Sequence, residues 1–240
     1  MKTFRKLLCT LMVAMLFVAT MASALAEDTI TIYLNSKDGG YTYNSFDVND
    51  VKPDSKITSV KSSNKEIIEL NSMYTSRSSY YYFSDKTTRD NNPYVDISVY
   101  AKKAGKATVT YKVDGEKKTQ KFVIKDYTNP VKSFILSGIS TKNLKSVFDS
   151  NSYNNRTLKK DAKAGEMTFK AASGWKITSV YWEDYTNQCE YEFYTWGGKG
   201  VSSVTLNVPE MLKDNEYYIN CNFVNTKTNG RLNVSYSIRK

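Results

Sequence analysis

The sequence predicts an all-β chain built from two β-sandwiches in tandem, and three observations lead to this prediction. The pentapeptide Lys-Ile-Thr-Ser-Val occurs twice, as Lys56–Val60 and as Lys176–Val180, which indicates one design used twice. Apolar and polar residues alternate along many short segments, as they do in half-buried strands. Turn residues separate these segments at short intervals, a spacing that favours sandwiches over alternating strands and helices.

In the first half, alternation with period two predicts four strands. They are Thr29–Leu34, Tyr94–Ala101, Thr108–Val113 and Lys121–Ile124. Turns are predicted between the alternating segments, at Lys37–Gly40, Lys52–Ser55, Ala104-Gly105 and Asp114-Gly115. The Asp-Gly pair between two alternating runs is a strong hairpin signal. Residues 27–126 are therefore expected to form the first sandwich.

The second half repeats this organisation over residues 131–240. Its predicted strands are Ser133–Ile139, Gly165–Ala171, Trp175–Trp182, Cys189–Trp196, Val201–Val208, Glu216–Val224 and Arg231–Ile238. Gly197–Gly200 and Thr228–Gly230 are predicted turns, and Thr141–Asp149 is expected to form one or two helical turns. Tyr127–Pro130 is the predicted linker, because proline removes a ladder donor and favours an extended residue before it.

Residues 1–26 have the pattern of a signal peptide. Lys2, Arg5 and Lys6 precede an apolar run, and Ala24-Leu25-Ala26 fits a small-x-small cleavage site. The run is shorter than the ~20 residues of a membrane helix. We expect a secreted chain that starts at Glu27, with no transmembrane segment after cleavage. The C-terminal residues show no sortase-type motif or hydrophobic tail, so we expect any attachment to the cell surface to be non-covalent.

The net charge and the absence of histidine make several classes of function improbable. The chain has 34 basic residues, three of them in the signal segment, which leaves 31 against 24 acidic residues and a net charge of +7. This modest excess suits weak attraction to anionic surfaces and lacks the dense basic stripe of a nucleic-acid binder. The chain has no histidine, which removes the commonest general base and nearly all zinc sites. We therefore expect a non-enzymatic protein with no catalytic residue, no cofactor and no metal.

Cys189 and Cys221 remain after signal cleavage and are a candidate disulfide in an oxidising compartment. Such a bond would close a 32-residue loop and contribute roughly 3–4 kcal/mol. Two buried free thiols are the alternative.

Four stretches of the first half carry a family resemblance: Pro53, Ile57–Asn64, Ile67–Leu70 and Tyr100–Thr110. Through them the segment Val51–Lys125 resembles a bacterial Ig-like domain of group 2, a family of exported β-sandwich modules. Val60 stands where the family often has Trp, and residues 71–93 look like an insertion. The second half is a weaker Ig-like match. The resemblance implies tandem Ig-like β-sandwich domains with a spacer or adhesion role on bacterial surfaces, and it names no binding residues.

Five aromatic residues are candidate ligand contacts: Tyr80, Tyr81, Tyr82, Trp175 and Trp196. The tyrosines lie in a polar segment that could protrude as a binding loop, although an extra hairpin packed on the sandwich is favoured. The two tryptophans could stack on sugar rings, although large aromatics are more often core. Trp182 shares a strand face with Val180 and is expected to be buried.

Two clusters of charged residues are weaker candidates for a functional site. Six basic residues are a candidate patch for an anionic partner, with an ordinary solvated surface as the alternative: Lys142, Lys145, Arg156, Lys159, Lys160 and Lys163. Glu190 and Glu192 share a strand face and could resemble the pair of carboxylates in a glycosidase. Glycosidase carboxylates usually come from different elements across a cleft, so a solvated strand face is favoured.

These observations predict a secreted or surface-associated binding and adhesion module that recognises a glycan, a wall polymer or a surface protein through loops on rigid sheets. The alternative is a structural spacer or a self-assembling subunit whose exposed strand edges pair with a neighbour.

Overall fold

The structure is a computed structural model. It describes residues 29–49, 51–52, 54–76, 79–82, 87–90, 94–150, 155–187, 189–195 and 199–239. The predicted signal peptide lies outside the described residues.

The described residues between 30 and 125 form nine strands. They are β1 (Ile30–Tyr33), β2 (Thr42–Asp47), β3 (Ile57–Ser62), β4 (Ile68–Ser76), β5 (Ser79–Tyr82), β6 (Thr87–Asp90), β7 (Tyr94–Ala101), β8 (Gly105–Val113) and β9 (Glu116–Lys125). One sheet has the order β1-β9-β8-β3 and the facing sheet has the order β2-β7-β4. The pair β1-β9 is parallel and the other pairs are antiparallel. This is the strand order of an Ig-like sandwich, in which strands B, E and D face strands C, F and G.

The segment between β4 and β7 departs from that plan. β4 runs on to Ser76, and β5 and β6 pair with each other as a separate two-stranded hairpin. Residues 71–93 thus contain the extra hairpin that the aromatic-rich segment predicted.

The described residues between 131 and 239 form eight more strands and one short 3-10 helix at Lys145–Phe148. The strands are β10 (Val131–Leu136), β11 (Asn155–Thr157), β12 (Gly165–Ala171), β13 (Trp175–Asp184), β14 (Cys189–Tyr194), β15 (Ser203–Val208), β16 (Tyr217–Asn225) and β17 (Arg231–Arg239). They form a three-stranded sheet, β10-β12-β15, and a five-stranded sheet, β11-β17-β16-β13-β14. The predicted fold class of two tandem Ig-like β-sandwiches is confirmed.

Two packing details of the second sandwich are typical of Ig-like folds. Trp182 on β13 is fully buried and stacks on Tyr217, with ring centroids 5.6 Å apart. The Tyr217 hydroxyl in turn accepts a hydrogen bond of 2.7 Å from the Leu212 backbone N–H. A tyrosine at the start of this strand that bonds back to upstream backbone is the tyrosine corner of Ig-like sandwiches.

The two copies of the repeated pentapeptide occupy the same place in the two sandwiches. The first copy lies at the start of β3, which pairs with β8, and the second lies within β13, which pairs with β16. β8 and β16 are each the first strand of a hairpin, β8-β9 in one sandwich and β16-β17 in the other. Each also contains a β-bulge, because the register shifts between Thr58 and Lys61 in one copy and between Ile177 and Ser179 in the other. A bulge bends a strand and increases its twist, so the repeat preserves a local bend as well as a strand.

The turns are built as the sequence predicts. Asp114 and Gly115 join β8 to β9 with φ values of 52° and 89°, as a type I′ hairpin requires. Asp114 also accepts hydrogen bonds from the Lys56 N–H (2.8 Å) and the Ser55 hydroxyl (2.7 Å), which lowers the pKa of its carboxyl. Gly105 has a φ of 151°, and a Cβ there would lie 2.6 Å from Ile67 Cδ1.

Buried apolar residues form one cluster in each sandwich, and β1 contributes to both. Ile32 and Leu34 belong to the first core, whereas Tyr33 between them belongs to the second. The predicted linker also packs on the second sandwich: Tyr127 is buried there, and its hydroxyl donates to the Phe148 carbonyl. The Asn129 side chain bonds to Asp149 and to the Val131 N–H.

Candidate functional site

A cleft of about 640 Å³ lies where the two sandwiches meet. One wall is the loop Asn35–Thr42 of the first sandwich, and the other is formed by β16, β17 and Tyr185 of the second. Ligand pockets in proteins usually measure about 300–1,000 Å³ and favour interfaces between domains. The cleft therefore has the size and the location of a binding site.

The loop wall is held by backbone contacts and shaped by two glycines. The Lys37 N–H donates to the Ser150 carbonyl at 3.1 Å, which ties the loop to the second sandwich. Gly39 and Gly40 have φ values of 88° and 110°, which side-chain-bearing residues rarely adopt. The turn predicted at Lys37–Gly40 is thus confirmed, and Tyr41, which follows it, is 63% exposed.

The floor of the cleft is part of a polar network on β16 and β17. Alternation places Tyr218, Asn220 and Asn222 of β16 opposite Ser237, Ser235 and Asn233 of β17. The Asn233 amide donates to Asn220 (2.6 Å) and to Asn222 (2.9 Å). The Asn220 amide donates to the Tyr218 hydroxyl at 3.0 Å. Because each amide bonds its neighbour, the donors and acceptors of this face have fixed orientations.

The second wall presents Tyr185, which lies in the turn after β13. The centroid of its ring is 6.2 Å from that of the Tyr218 ring, and the residue is 53% exposed. The turn is fixed by the buried Asp184 carboxylate, which accepts from the backbone N–H groups of Thr186 (2.9 Å) and Asn187 (3.1 Å). Charge-assisted bonds of this kind are stronger than neutral ones, so Tyr185 is presented by a rigid turn.

Charged side chains lie in the same cleft as these phenols. Asp38 and Glu216 line the cleft together with Arg239. The pKa of Tyr185 is raised by desolvation and by the neighbouring Glu183, so its hydroxyl keeps its proton to a higher pH than an ordinary phenol. The site thus offers aromatic faces, amides and protonated hydroxyls, a set suited to stacking and hydrogen bonding.

The structure corrects one of the predicted ligand contacts. Trp175 is only 6% exposed and belongs to the second core. Its ring lies against that of Tyr33, so no face is available for a sugar. Trp196 lies outside the described residues. Tyr80, Tyr81 and Tyr82 form β5, for which only the backbone is described.

The disulfide prediction is also corrected. Cys221 is a free, fully buried thiol. It lies opposite Val180 on β13, whereas Cys189 on β14 lies opposite Asp184, on the other side of the same strand. Two strand spacings and four residues along the strand separate the two positions by roughly 16 Å, far beyond the ~7 Å limit between bridged Cα atoms.

The six residues of the predicted basic patch are all exposed. They lie between β10 and β12, in the segment with the 3-10 helix and β11. Glu190 and Glu192 are exposed too, on the same face of the five-stranded sheet as Glu183 and Tyr181. Desolvation, followed by its hydrogen bond with Glu190, raises the pKa of Tyr181.

Sequence reasoning missed the cleft residues Tyr41, Tyr185 and Tyr218. A local signal existed for Tyr41, which directly follows two turn glycines. A second signal was the alternation of Tyr, Asn and Ser along β16 and β17, which marks one strand face as unusually rich in hydrogen-bonding groups.

Comparisons with known proteins do not assign the chain to a family. No family model matches it, and no curated protein matches it. Among solved structures, domains 5–6 of the S-layer protein SbsC are similar at 12% identity and a TM-score of 0.27, over 90% of this chain and 95% of that one. Domains 4–9 of the same protein are similar at 11% identity and a TM-score of 0.26 over 88% of this chain, and the match covers only 30% of that longer chain. The zebrafish RET cadherin-like domains 1 to 4 are similar at 8% identity and a TM-score of 0.26, over 88% of this chain and 49% of that one.

Among the helices of the described residues, none has the length and apolar character needed to cross a membrane.

Proposed function

We propose that this chain is a secreted or surface-associated, non-enzymatic module that binds a glycan in the cleft between its two sandwiches. The observation that carries the proposal is the composition of the cleft walls: three accessible tyrosine rings, Tyr41, Tyr185 and Tyr218, beside Asn233, which is the member of an ordered row of amides that lines the cleft.

The chemistry of the cleft fits a sugar. A sugar ring has hydroxyl groups around its rim and C–H groups on its faces. Amide and hydroxyl side chains donate to and accept from the rim, while tyrosine rings pack on the faces with little loss of conformational entropy. Tyrosine is also enriched at protein interfaces, but the cores of those interfaces are more apolar than this row of amides and hydroxyls, so a protein partner is less well supported.

Export and domain organisation are part of the proposal. Residues 1–26 would be removed as a signal peptide, and residues 27–126 and 131–240 would be the two domains, the first similar to group 2 bacterial Ig-like domains. The free state of Cys221 is compatible with export, because its burial protects the thiol from oxidants.

The exposed basic segment supports a separate, weaker role in retention at the cell surface. Its lysines and arginine are exposed, and solvent-exposed positive charges attract anionic wall polymers in a salt-dependent manner. Raising the salt concentration should remove this attraction and leave binding in the cleft.

The test is binding of the mature chain, Glu27–Lys240, to a panel of immobilised glycans and envelope fractions at low and high salt. We expect salt-resistant binding to one or more glycans. Tyr218→Ala should weaken it roughly tenfold, a loss typical of an aromatic anchor. Tyr194→Ala is the matched control, because this tyrosine is 57% exposed on β14, at the far edge of the same sheet.

Two results would count against the proposal: no salt-resistant binding to any glycan, or equal losses for the two variants. Concentration-dependent self-association without a ligand would instead favour the structural alternative, a spacer or assembly subunit.

A further inference from the structure

We propose that the binding surface continues out of the cleft as a strip of tyrosines across the outer face of the sheet β2-β7-β4, and that the partner is a linear, neutral polysaccharide. This inference rests on the proposed function of the cleft. It adds the length and the charge of the glycan.

The strip begins inside the cleft. Tyr41 lines the cleft, and its ring centroid is 5.5 Å from that of Tyr100 on β7. The Tyr100 ring is 6.0 Å from that of Tyr43 on β2, its direct partner in the sheet. The Tyr100 ring therefore joins Tyr41 in the cleft to Tyr43 on the open face of the first sandwich.

The strip continues along β7 to the far end of the sheet. Tyr94 is six residues from Tyr100 on the same strand, about 20 Å away and on the same face. Tyr74 on β4 lies opposite Asp96 on that face. Tyr43, Tyr74 and Tyr94 are 57%, 61% and 44% exposed, so this face displays tyrosines to solvent.

Polar groups connect the two ends of the strip. The hydroxyls of Tyr43 and Ser98 are 2.9 Å apart, and Ser98 donates to Asp96 Oδ1 at 3.4 Å. The Tyr94 hydroxyl donates to Asp96 Oδ2 at 3.2 Å. Rings lie here beside oriented hydroxyl and carboxylate groups, as they lie beside oriented amide and hydroxyl groups in the cleft. This repetition over about 20 Å indicates a chain of similar units rather than one compact ligand.

The charges along the path oppose an anionic chain. Asp47 and Asp96 lie opposite each other on the strip, and in the cleft the two carboxylates of Asp38 and Glu216 outnumber the one cation, Arg239, among the lining residues that the structure describes. The Lys102 ammonium beside Tyr41 is paired with Glu69 at 3.3 Å. A polysaccharide with carboxylate or sulfate groups would meet like charges, which costs affinity, so the path favours an uncharged polymer.

The experiment titrates the mature chain with cello-oligosaccharides from cellobiose to cellohexaose, hydroxyethyl cellulose, soluble β-mannan and polygalacturonate. The variants are Tyr43→Ala for the strip, Tyr218→Ala for the cleft and Tyr194→Ala as the exposed control, each checked for an unchanged unfolding temperature. We expect a neutral polymer to bind roughly tenfold more tightly than its shortest oligosaccharide. Tyr43→Ala should weaken polymer binding roughly fivefold and leave the shortest oligosaccharide unaffected, since it removes one anchor of several.

The outcomes separate the two proposals. Length-independent binding that Tyr43→Ala leaves unchanged overturns the strip, while loss of binding in Tyr218→Ala still supports the cleft. Tightest binding to polygalacturonate, or binding only to other glycans of the earlier panel, overturns the proposal that the partner is a linear, neutral polysaccharide. The proposal that the cleft binds a glycan would still stand. If no glycan binds in either experiment, the strip and the proposed function both fail.

Discussion

Tyr33 of the first sandwich and Trp175 of the second meet edge to face, with ring centroids 4.8 Å apart and an interplanar angle of 61°. Tyr33 is 6% exposed although its strand, β1, belongs to the first sandwich. Since successive side chains of a strand point to opposite faces, Ile32 and Leu34 enter one core while Tyr33 enters the other. One strand thereby couples the two sandwiches and holds the two walls of the cleft together.

We predict that Tyr33→Ala destabilises the second sandwich although the substitution lies in the first. Loss of a buried aromatic ring should cost about 2–4 kcal/mol, observed by tryptophan fluorescence during urea unfolding. All three tryptophans lie in the second half of the chain, so the signal reports on that sandwich. Tyr33→Phe keeps the ring and loses only a long contact of 3.4 Å with Thr228, so it should cost under about 1 kcal/mol. Similar losses in the two variants would contradict the coupling.

Strands with strict alternation could be predicted from the sequence almost to the residue. Tyr94–Ala101 and Gly165–Ala171 have the predicted bounds, and the helical turn within Thr141–Asp149 is present as a 3-10 helix. Thr42–Asp47 was missed because its sequence, Thr-Tyr-Asn-Ser-Phe-Asp, contains only one residue that enters the core, Phe46. Pairing with β7 makes this segment a strand, and such tertiary context leaves no local pattern.

The candidate site was predicted less well, because it is assembled from distant segments. Tyr41 and Tyr218 are 177 positions apart in the sequence and line the same cleft. Trp175 was misjudged for a related reason: the end of a strand is exposed in an isolated sandwich, but here β1 of the preceding sandwich covers it.

A second prediction concerns the hairpin turn between β8 and β9. Asp114→Ala should lower the free energy of unfolding, because alanine is strained at a positive φ and cannot accept the bonds from Ser55 and Lys56. Asp114→Asn tolerates that conformation and keeps an acceptor, so most of the stability should remain. Chemical denaturation of both variants at neutral pH measures the difference. An asparagine variant as unstable as the alanine variant would rule out this account of the turn.

A third prediction follows from Tyr94. Its hydrogen bond with Asp47, followed by desolvation and the bond with Asp96, raises its pKa to about 12. Asp47→Asn should therefore lower the Tyr94 pKa more than Asp96→Asn does, as measured by NMR titration of the labelled tyrosine ring. The neutral phenol is favoured in the folded state, so its contribution to stability is complete below pH ~10, the unfolded value, and is lost as the pH rises through about 12. Relative to Tyr94→Phe, the wild type should lose stability over that interval, and a constant difference between the two would refute the assignment.

The last prediction concerns the Cys221 thiol. Burial raises its pKa well above the usual value, and both its exclusion from solvent and the scarcity of thiolate should make it unreactive in the folded protein. In the mature chain carrying Cys189→Ser, a thiol reagent such as Ellman's should detect no cysteine in buffer and one per chain in denaturant. The wild-type mature chain, denatured without reductant, should release two thiols, because Cys189 and Cys221 lie too far apart to be bridged. If the reagent detects no thiol in the denatured wild type, the two cysteines are joined by a disulfide.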